Sequence, residues 1–402
     1  MTRLRLFVIA ALSSWLSGCS APRQQGMIEV APGAEDRFLL AMKMGYIGTF
    51  DKQLVPGQVR RALLPGQLPE GKARGARVGD YVLENGHVLA AITDVDGSER
   101  GGRLVDLARK PASMDGLDRI DLDVLGAPIV YDTLKTGFDD ATQAAYVEVS
   151  GTLDRSAIDG TRFTVSTRYD AAPGVEAIVV HTHIKLEQGN LDTSNVGSGL
   201  LDERLYAKGA AGPIVDSGSG FGASLGGDGA YLLRPLFEGA RVTAAARGPR
   251  LIVDADSAPG AGDAVVITRM VAPLERSDTG ALAVAVAKSE GRRIGDVEVR
   301  VAPRGGAGFP SRGDLAFVGA DGARVEVCDV DTSGEDSHFA ATLPAGRYTV
   351  TFNNQRLRGE GAEIEIEPDR VSFLTVVARP KKDDVAPDAS ACITAARHAP
   401  TD

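Results

Sequence analysis

The feature that most constrains the fold is a repeated turn grammar between runs in which apolar and polar residues alternate. Asn85-Gly86 separates residues 79–84 from 87–92, and Asp159-Gly160 separates 146–153 from 162–169. Pro173-Gly174 then turns the chain into 175–187. Asn-Gly and Asp-Gly tolerate positive φ and so close tight hairpins, while a period of two gives each run one apolar and one polar face. Three consecutive runs joined this way predict an antiparallel meander. Further strands are predicted at 103–107, 128–134, 231–236, 240–245, 250–253, 264–271 and 282–287. Downstream of the N-terminal segment no long 3.6-residue apolar stripe and no strand-helix alternation occurs, which argues against an α/β fold. A large antiparallel β-sandwich over 78–290 is the expected container.

A second module is expected over 295–380. Runs at 297–302, 314–318, 324–328, 338–343, 347–352, 362–367 and 371–378 are short and closely spaced, with Asp321-Gly322 and Pro344-Ala345-Gly346 as turns. That spacing suits a small immunoglobulin-like or prealbumin-like β-sandwich. The fold class is therefore all-β, a large sandwich followed by a small one. Residues 381–402, opening on Lys381-Lys382-Asp383-Asp384 and rich in Pro and Ala, read as a disordered tail.

The N-terminal segment carries Arg3 and Arg5 and then the apolar run 6–16, the charged and apolar regions of a secretory signal, too short to span a bilayer. Its end, Leu16-Ser17-Gly18-Cys19, resembles the lipobox of bacterial lipoproteins. The resemblance implies removal of residues 1–18, lipidation of Cys19 by acyl chains such as palmitate, and a cell-envelope address. Ser20 stands where an aspartate would resemble the inner-membrane retention signal, so the outer membrane is the expected destination. Residues 19–77 read as a tether with a short ordered element around Phe38, Leu39, Leu40, Met42 and Met44. The net charge of -10 disfavours nucleic acid and anionic lipid headgroups as partners, which leaves the anchor as the membrane contact. Cys328 and Cys392 could pair in an oxidising periplasm, but Cys328 sits in a strand-like run and Cys392 in a ragged tail, which weighs against a native disulfide. The only tryptophan, Trp15, lies in the signal, so a sugar platform would have to use tyrosine or phenylalanine.

Two family resemblances stand on particular residues. Gly313-Asp314-Leu315-Ala316-Phe317, Asp321-Gly322 and the run from Phe339 through Leu343-Pro344-Ala345-Gly346-Arg347-Tyr348-Thr349-Val350 resemble the carboxypeptidase regulatory-like module of extracellular proteins. Gly79-Asp80-Tyr81-Val82-Leu83-Glu84-Asn85-Gly86, with Gly101-Gly102-Arg103-Leu104-Val105-Asp106, is similar to the N-terminal β-module of exported bacterial proteins that end in a PHP-type metallohydrolase domain. The chain stops where that hydrolase would begin, so the resemblance implies the accessory part without the catalytic part.

Several motifs imitate chemistry. His181-Thr182-His183 puts two imidazoles on one strand face, a spacing that suits zinc. With Ile178, Val180, Ile184 and Leu186 inward, the histidines face outward, and if Pro173-Gly174 joins the strands by an even-length loop their cross-strand neighbours come from Arg162, Thr164, Ser166 and Arg168. No carboxylate is expected beside them, and arginines repel a cation. Gly222-Ala223-Ser224-Leu225-Gly226 matches the letters of a nucleophile elbow but sits in a Ser/Gly-rich run expected to be a loop; Ser219, Ser224 and Asp228 are its candidate binding residues. Asp329-Val330-Asp331-Thr332-Ser333-Gly334 imitates half of a calcium loop, but Ala340 occupies the position of the bidentate carboxylate. Asp94 with Asp96, and Asp118, Asp121 and Asp123, are acidic clusters open to calcium, to acid/base work or to a solvated edge. No cofactor is expected; zinc and calcium are the only metals these motifs could take. The sequence favours a non-catalytic outer-membrane lipoprotein that presents sandwich surfaces to envelope polysaccharide, peptide or a protein partner. The alternatives are a carbohydrate-active hydrolase using carboxylates of the large sandwich, or an accessory subunit of a PHP-type hydrolase.

Overall fold

The computed structural model describes residues 55–70, 75–111, 116–191, 199–207, 213–216, 220–226, 229–237, 240–245, 248–254, 259–260, 262–304, 312–331, 338–359 and 361–381. Cys19, Ser219, Asp228 and Cys392 lie outside them, as does the apolar island at 38–44.

Strands β1 (Gln58–Arg61), β2 (Tyr81–Glu84), β3 (Val88–Ile92) and β4 (Leu104–Arg109) form a four-stranded antiparallel sheet in that order. The segment read as a tether through residue 77 therefore joins the folded body at β1, because Ala62, Leu68 and Ala76 cover Val82, Leu89, Ala91 and Val105 on this sheet's outer face. The turn between β2 and β3 also works differently from the expectation. Neither Asn85 nor Gly86 adopts positive φ. Instead the Asn85 side chain accepts from the amides of His87 and Val88 and donates to the carbonyls of Ala172 and Val175, tying the hairpin to the neighbouring sheet. Gly102 is needed as glycine: its φ is 72°, and a Cβ there would lie 2.9 Å from the Tyr131 ring.

After β5 (Leu117–Val124) and β6 (Ala127–Pro128) comes the predicted meander: β7 (Tyr131–Asp139), β8 (Ala144–Arg155), β9 (Thr161–Ala171) and β10 (Ile178–Gln188). Gly160 and Gly174 take the positive φ their turns require. Strand β11 (Leu201–Ala207) returns to pair with β5; β12 (Pro213–Asp216), β13 (Phe221–Ser224) and β14 (Tyr231–Pro235) follow, then β15 (Ala240–Ala245), β16 (Gly248–Val253) and β17 (Ala264–Pro273). Two sheets result, an eight-stranded one ordered β12-β13-β14-β17-β10-β9-β8-β7 and a five-stranded one ordered β15-β16-β11-β5-β6. Every pairing in them is antiparallel. One continuous core, including Leu107 and Ile92 of the four-stranded sheet, Leu122 and Leu205 of the five-stranded sheet and Val147, Val165 and Ile184 of the eight-stranded sheet, holds the three together. This is the large sandwich.

Residues 282–287, expected as a strand, belong instead to a helix, α1 (Thr279–Ser289). Leu282, Val284 and Val286 alternate with alanines, which reads as a period of two. Alanine is also the strongest helix former, Asp278 caps the first turn by accepting from the Ala281 amide, and Lys288 complements the last turn. The helix buries Ala281, Leu282 and Val286 against Val179, Leu232, Met270 and Ala272, on the outward side of the eight-stranded sheet.

The second module runs through β18 (Ile294–Pro303), β19 (Arg312–Gly319), β20 (Arg324–Asp331), β21 (His338–Pro344), β22 (Gly346–Asn353), β23 (Leu357–Gly359), β24 (Ala362–Ile366) and β25 (Val371–Pro380). Its strands wrap around a core of its own, with Val297, Val299, Phe317, Val350, Phe352 and Val376 at the centre. It is the expected small sandwich, with one departure from antiparallel pairing: β18 and β25 run parallel. Cys328 is disulfide-bonded, its partner lying outside the described residues. Helix α1 joins the two sandwiches. Its N-terminal end is stitched to β20, where Thr279 Oγ1 accepts from the Glu326 amide and Asp278 accepts from the Cys328 amide. Its C-terminal end is stitched to the large sandwich by Arg234, which donates to Ser289 and Glu290. No helix among the described residues is long and apolar enough to cross a membrane.

Candidate functional site: the open face of the eight-stranded sheet

Helix α1 covers only one end of the outward face of the eight-stranded sheet. Beyond it, strands β8, β9, β10 and β17 present a rank of polar side chains. Register fixes the rank: His181 lies opposite Arg168 on one side and Thr268 on the other, and Arg168 lies opposite Glu148. His183 lies opposite Ser166; of the other neighbours expected for the histidines, Thr164 lies opposite Lys185 and Arg162 opposite Gln188, further along the strand.

The rank is interlocked. Arg168 stacks on the Tyr146 ring with its guanidinium carbon 3.7 Å from the centroid, and its Nε donates to both oxygens of Asp170 at 2.9 and 3.1 Å. Asp170 in turn lies 3.6 Å from His181 Nε2, and His181 Nδ1 meets the Thr268 hydroxyl at 3.0 Å. Asp170 and His181 are buried, whereas Tyr146, Arg168, His183 and Thr268 stay partly accessible. The expectation that no carboxylate stands beside the histidines is corrected by Asp170. It is not directly opposite His181; it reaches the imidazole diagonally, a neighbour that register counting alone passes over. Burial, with the Lys185 charge adding to it, lowers the pKa of His183 and keeps that imidazole neutral near pH 7. Among the described residues no group of three His, Cys, Asp or Glu is arranged to hold a metal, and Arg168 and Lys185 flank the two histidines.

The opposite side of the same strands is sealed. Arg269 is held by Glu203 of β11 through Nε at 2.7 Å and Nη2 at 2.6 Å, with both side chains almost wholly buried. Its Nη1 donates to Thr182 Oγ1 at 2.6 Å, and the chain continues through Thr167 to the Tyr131 hydroxyl. This network bridges the two sheets of the sandwich.

The remaining sequence candidates fall elsewhere. Ser224 is a wholly buried strand residue of β13 rather than part of a loop, and its hydroxyl has no hydrogen-bond partner among the described residues. Without a strained turn before a helix it lacks the setting a nucleophile elbow needs. Asp118 and Asp121 both pair with Arg119, and Asp94 pairs with Arg61. Asp123 faces Asp202 across β5 and β11. Burial raises the Asp123 pKa, and the neighbouring Asp202 adds to the rise. Burial would also raise Asp202, but hydrogen bonds from Arg250 and Arg204 outweigh it and hold that carboxyl low. Opposed shifts of this kind suit an acid and base pair. Here the ionised partner is engaged, since Arg250 grips both Asp202 oxygens at 2.6 Å. Asp329 has a positive φ and meets Arg312 at 3.4 Å; residues 332–337 of the calcium-loop imitation lie outside the described residues.

Sequence reasoning missed Tyr146, Asp170 and Thr268 as members of the rank. The signal was present in their parity: each occupies an outward position on a strand whose inward positions are mostly apolar, Thr167 and Arg269 excepted. Comparison with known proteins adds little to this geometry. No protein-family model matches the chain, and no curated protein does. Similar solved structures include a TPR-domain containing protein from Parabacteroides distasonis, 12% identical over 56% of this chain and 54% of that one, with a TM-score of 0.29. Another is a galactose mutarotase-like protein from Lactobacillus casei, 10% identical over 48% of this chain and 100% of that one, with a TM-score of 0.30. A third is an α-mannosidase from Enterococcus faecalis, 9% identical over 72% of this chain and 41% of that one, with a TM-score of 0.34. The chain spans about half the length of the first, and likeness at these scores carries no functional argument.

Proposed function

We propose that the chain is an exported, acyl-anchored protein of the outer membrane that binds envelope polysaccharide on the open face of its eight-stranded sheet, without transforming it. The observation that carries this reading is the interlocked rank of Tyr146, Arg168, Asp170, His181 and Thr268. The partly accessible Arg168, His183 and Thr268 offer polar groups side by side, the complement of a polyhydroxylated chain, while the buried Asp170 and His181 fix the positions of Arg168 and Thr268. Strands hold them in place before any ligand arrives, which lowers the ordering cost of binding. The export and anchoring part of the proposal draws on Leu16-Ser17-Gly18-Cys19 and on the resemblance to modules of exported proteins.

The test is capture of polysaccharide by the full acyl-anchored chain from its own envelope, followed by direct binding of the captured material. Tyr146→Leu combined with His183→Ala is expected to weaken binding at least tenfold, while Asp123→Asn, on the outer face of the five-stranded sheet, leaves it unchanged. Equal binding by the face variant, or release of shortened polysaccharide by the unaltered protein, overturns the reading.

A further inference from the structure

A second site lies where the two sandwiches meet. A cleft of about 410 Å³ opens between the end of the large sandwich, helix α1 and the first strand of the small module. Its size falls within the range of small-molecule sites, and module junctions are where such sites concentrate. Its floor is apolar and built from short side chains: Leu274, Ala281, Val284, Ala285 and Ile294. The alanines leave the volume that larger residues would fill.

The charges of the lining divide into two sets. The cations are engaged from within the protein. Glu176 holds Arg109 at 2.7 Å and Lys288 at 2.6 Å, and Arg276 is held by Asp278 at 2.8 Å. The carboxylates at the mouth are in a different state. Glu275, Asp296 and Asp369 are exposed and line the cleft, and among the described residues none of the three makes an ion pair. Asp296 accepts one hydrogen bond, from the Thr342 hydroxyl at 2.7 Å, and keeps its charge unmatched. Two of the three sit on the small module and the third on the segment leading into the helix, so they approach one opening from different elements. The arrangement is an apolar pocket with an anionic mouth.

We propose that this cleft binds a primary amine on an aliphatic stem, such as a basic side chain of a short peptide. The stem lies on the alanine and valine surface of α1, and the ammonium remains at the mouth between Asp296 and Asp369. This matches the habit of long cationic side chains, which bury their methylenes and keep the charged head in water. An anion would meet three carboxylates at the entrance, and a neutral polar ligand would strip water from them without return. This site and its ligand class stand apart from polysaccharide binding on the sheet face, and neither proposal depends on the other.

The test is calorimetric titration of the full chain with Nα-acetyl-lysine N-methylamide, alongside its Nε-acetylated form, which has the same stem and no charge. Saturable binding of the first is expected, at least tenfold tighter than of the second and weakening as salt rises. Asp296→Asn with Asp369→Asn should weaken it at least tenfold, and Ala285→Phe, which fills the floor, should abolish it. Glu363→Gln, outside the lining, should leave it unchanged. Absence of saturable binding by the unaltered protein, equal affinity for the acetylated probe, or indifference to the double substitution overturns the proposal. The acetylated probe decides the matter even if a variant fails to fold.

Discussion

Three strands of the large sandwich carry two polar networks back to back. On β9, β10 and β17, Thr167, Thr182 and Arg269 point inward, while their sequence neighbours Arg168, His181 and Thr268 point outward. Each network centres on an arginine and a carboxylate, Arg269 with Glu203 inside and Arg168 with Asp170 outside. The inner pair is 1% and 2% exposed and joins two sheets, whereas the outer pair links neighbours on one strand and borders solvent. The same chemistry, displaced by one residue along the backbone, therefore serves registration of the sandwich on one face and contact on the other. A strand's period of two is enough to separate the roles.

The sharpest way to break the comparison is to remove the inner carboxylate. Glu203→Gln leaves the Arg269 charge buried without its counter-ion, and the expected loss is about 3–5 kcal/mol of folding stability. Denaturant unfolding measures it. The paired change Glu203→Leu with Arg269→Met, which removes both charges, should restore most of the loss, because an apolar pair of similar size avoids the desolvation penalty. If the single and paired variants are equally unstable, the network matters for its packing and not for its charges.

A smaller effect is expected at Thr182→Val, again on the inner face. Valine keeps the shape and removes the hydroxyl that accepts from Arg269 at 2.6 Å and meets Thr167 at 3.1 Å. Arg269 Nη1 also lies 3.2 Å from the Ile267 carbonyl, so the donor is left poorly rather than wholly unsatisfied. The cost should be about 1–3 kcal/mol by the same unfolding measurement.

How much of this was legible beforehand follows from what period and register can carry. The meander was legible because Asp159-Gly160 and Pro173-Gly174 fix the loops, and the loops fix which residues face one another. That is why Arg168 and Ser166 could be named among the neighbours of His181 and His183 once an even-length loop was assumed, while the individual pairings came from the register. Asp170 did not follow, because its contact with His181 runs diagonally and depends on the twist of the sheet. Arg269, at an inward position between Ile267 and Val271, carried the signal of a buried partner, and the sequence reading passed over it. Its partner Glu203 lies on the other sheet, and packing between sheets leaves no trace in local pattern. Helix α1 was misread because alternating alanine and valine satisfies both periods, and the choice was made by the apolar face it covers. The acidic mouth of the cleft was illegible for the same reason as Glu203: Glu275 joins Asp296 and Asp369 only when the modules meet.

Between the sealed pair and the open rank lies a half-buried case, the Glu176 triad that ties α1 to the large sandwich. Burial would raise the Glu176 pKa, but the Lys288 and Arg109 charges outweigh it and depress the pKa below its ordinary value. A carboxyl depressed by folding adds stability that is present above its unfolded pKa of about 4.3 and is lost as pH falls through the lower folded value. Glu176→Gln should therefore lower the unfolding midpoint near pH 7, and the gap from the unaltered protein should close as the pH falls below about 4. A gap that persists unchanged in acid would mean that the triad acts through shape alone.

The smallest effect is expected at Thr268→Val, which repeats the Thr182 experiment on the other face of the sheet. The two threonines share shape, strand setting and a single substitution, so the comparison isolates the environment. Thr268 meets His181 Nδ1 at 3.0 Å and remains partly accessible. When its hydroxyl is removed, water can take its place beside the imidazole, and no buried donor loses its partner. The cost should stay within about 0.5 kcal/mol, against the larger loss inside. Polysaccharide affinity should move in the opposite order, falling with Thr268→Val and holding with Thr182→Val once stability is accounted for. Denaturant unfolding and direct binding on the same two proteins measure both. A large loss of stability at Thr268, or a loss of binding at Thr182 in a folded protein, would show that the two faces do not divide the roles as their exposure implies.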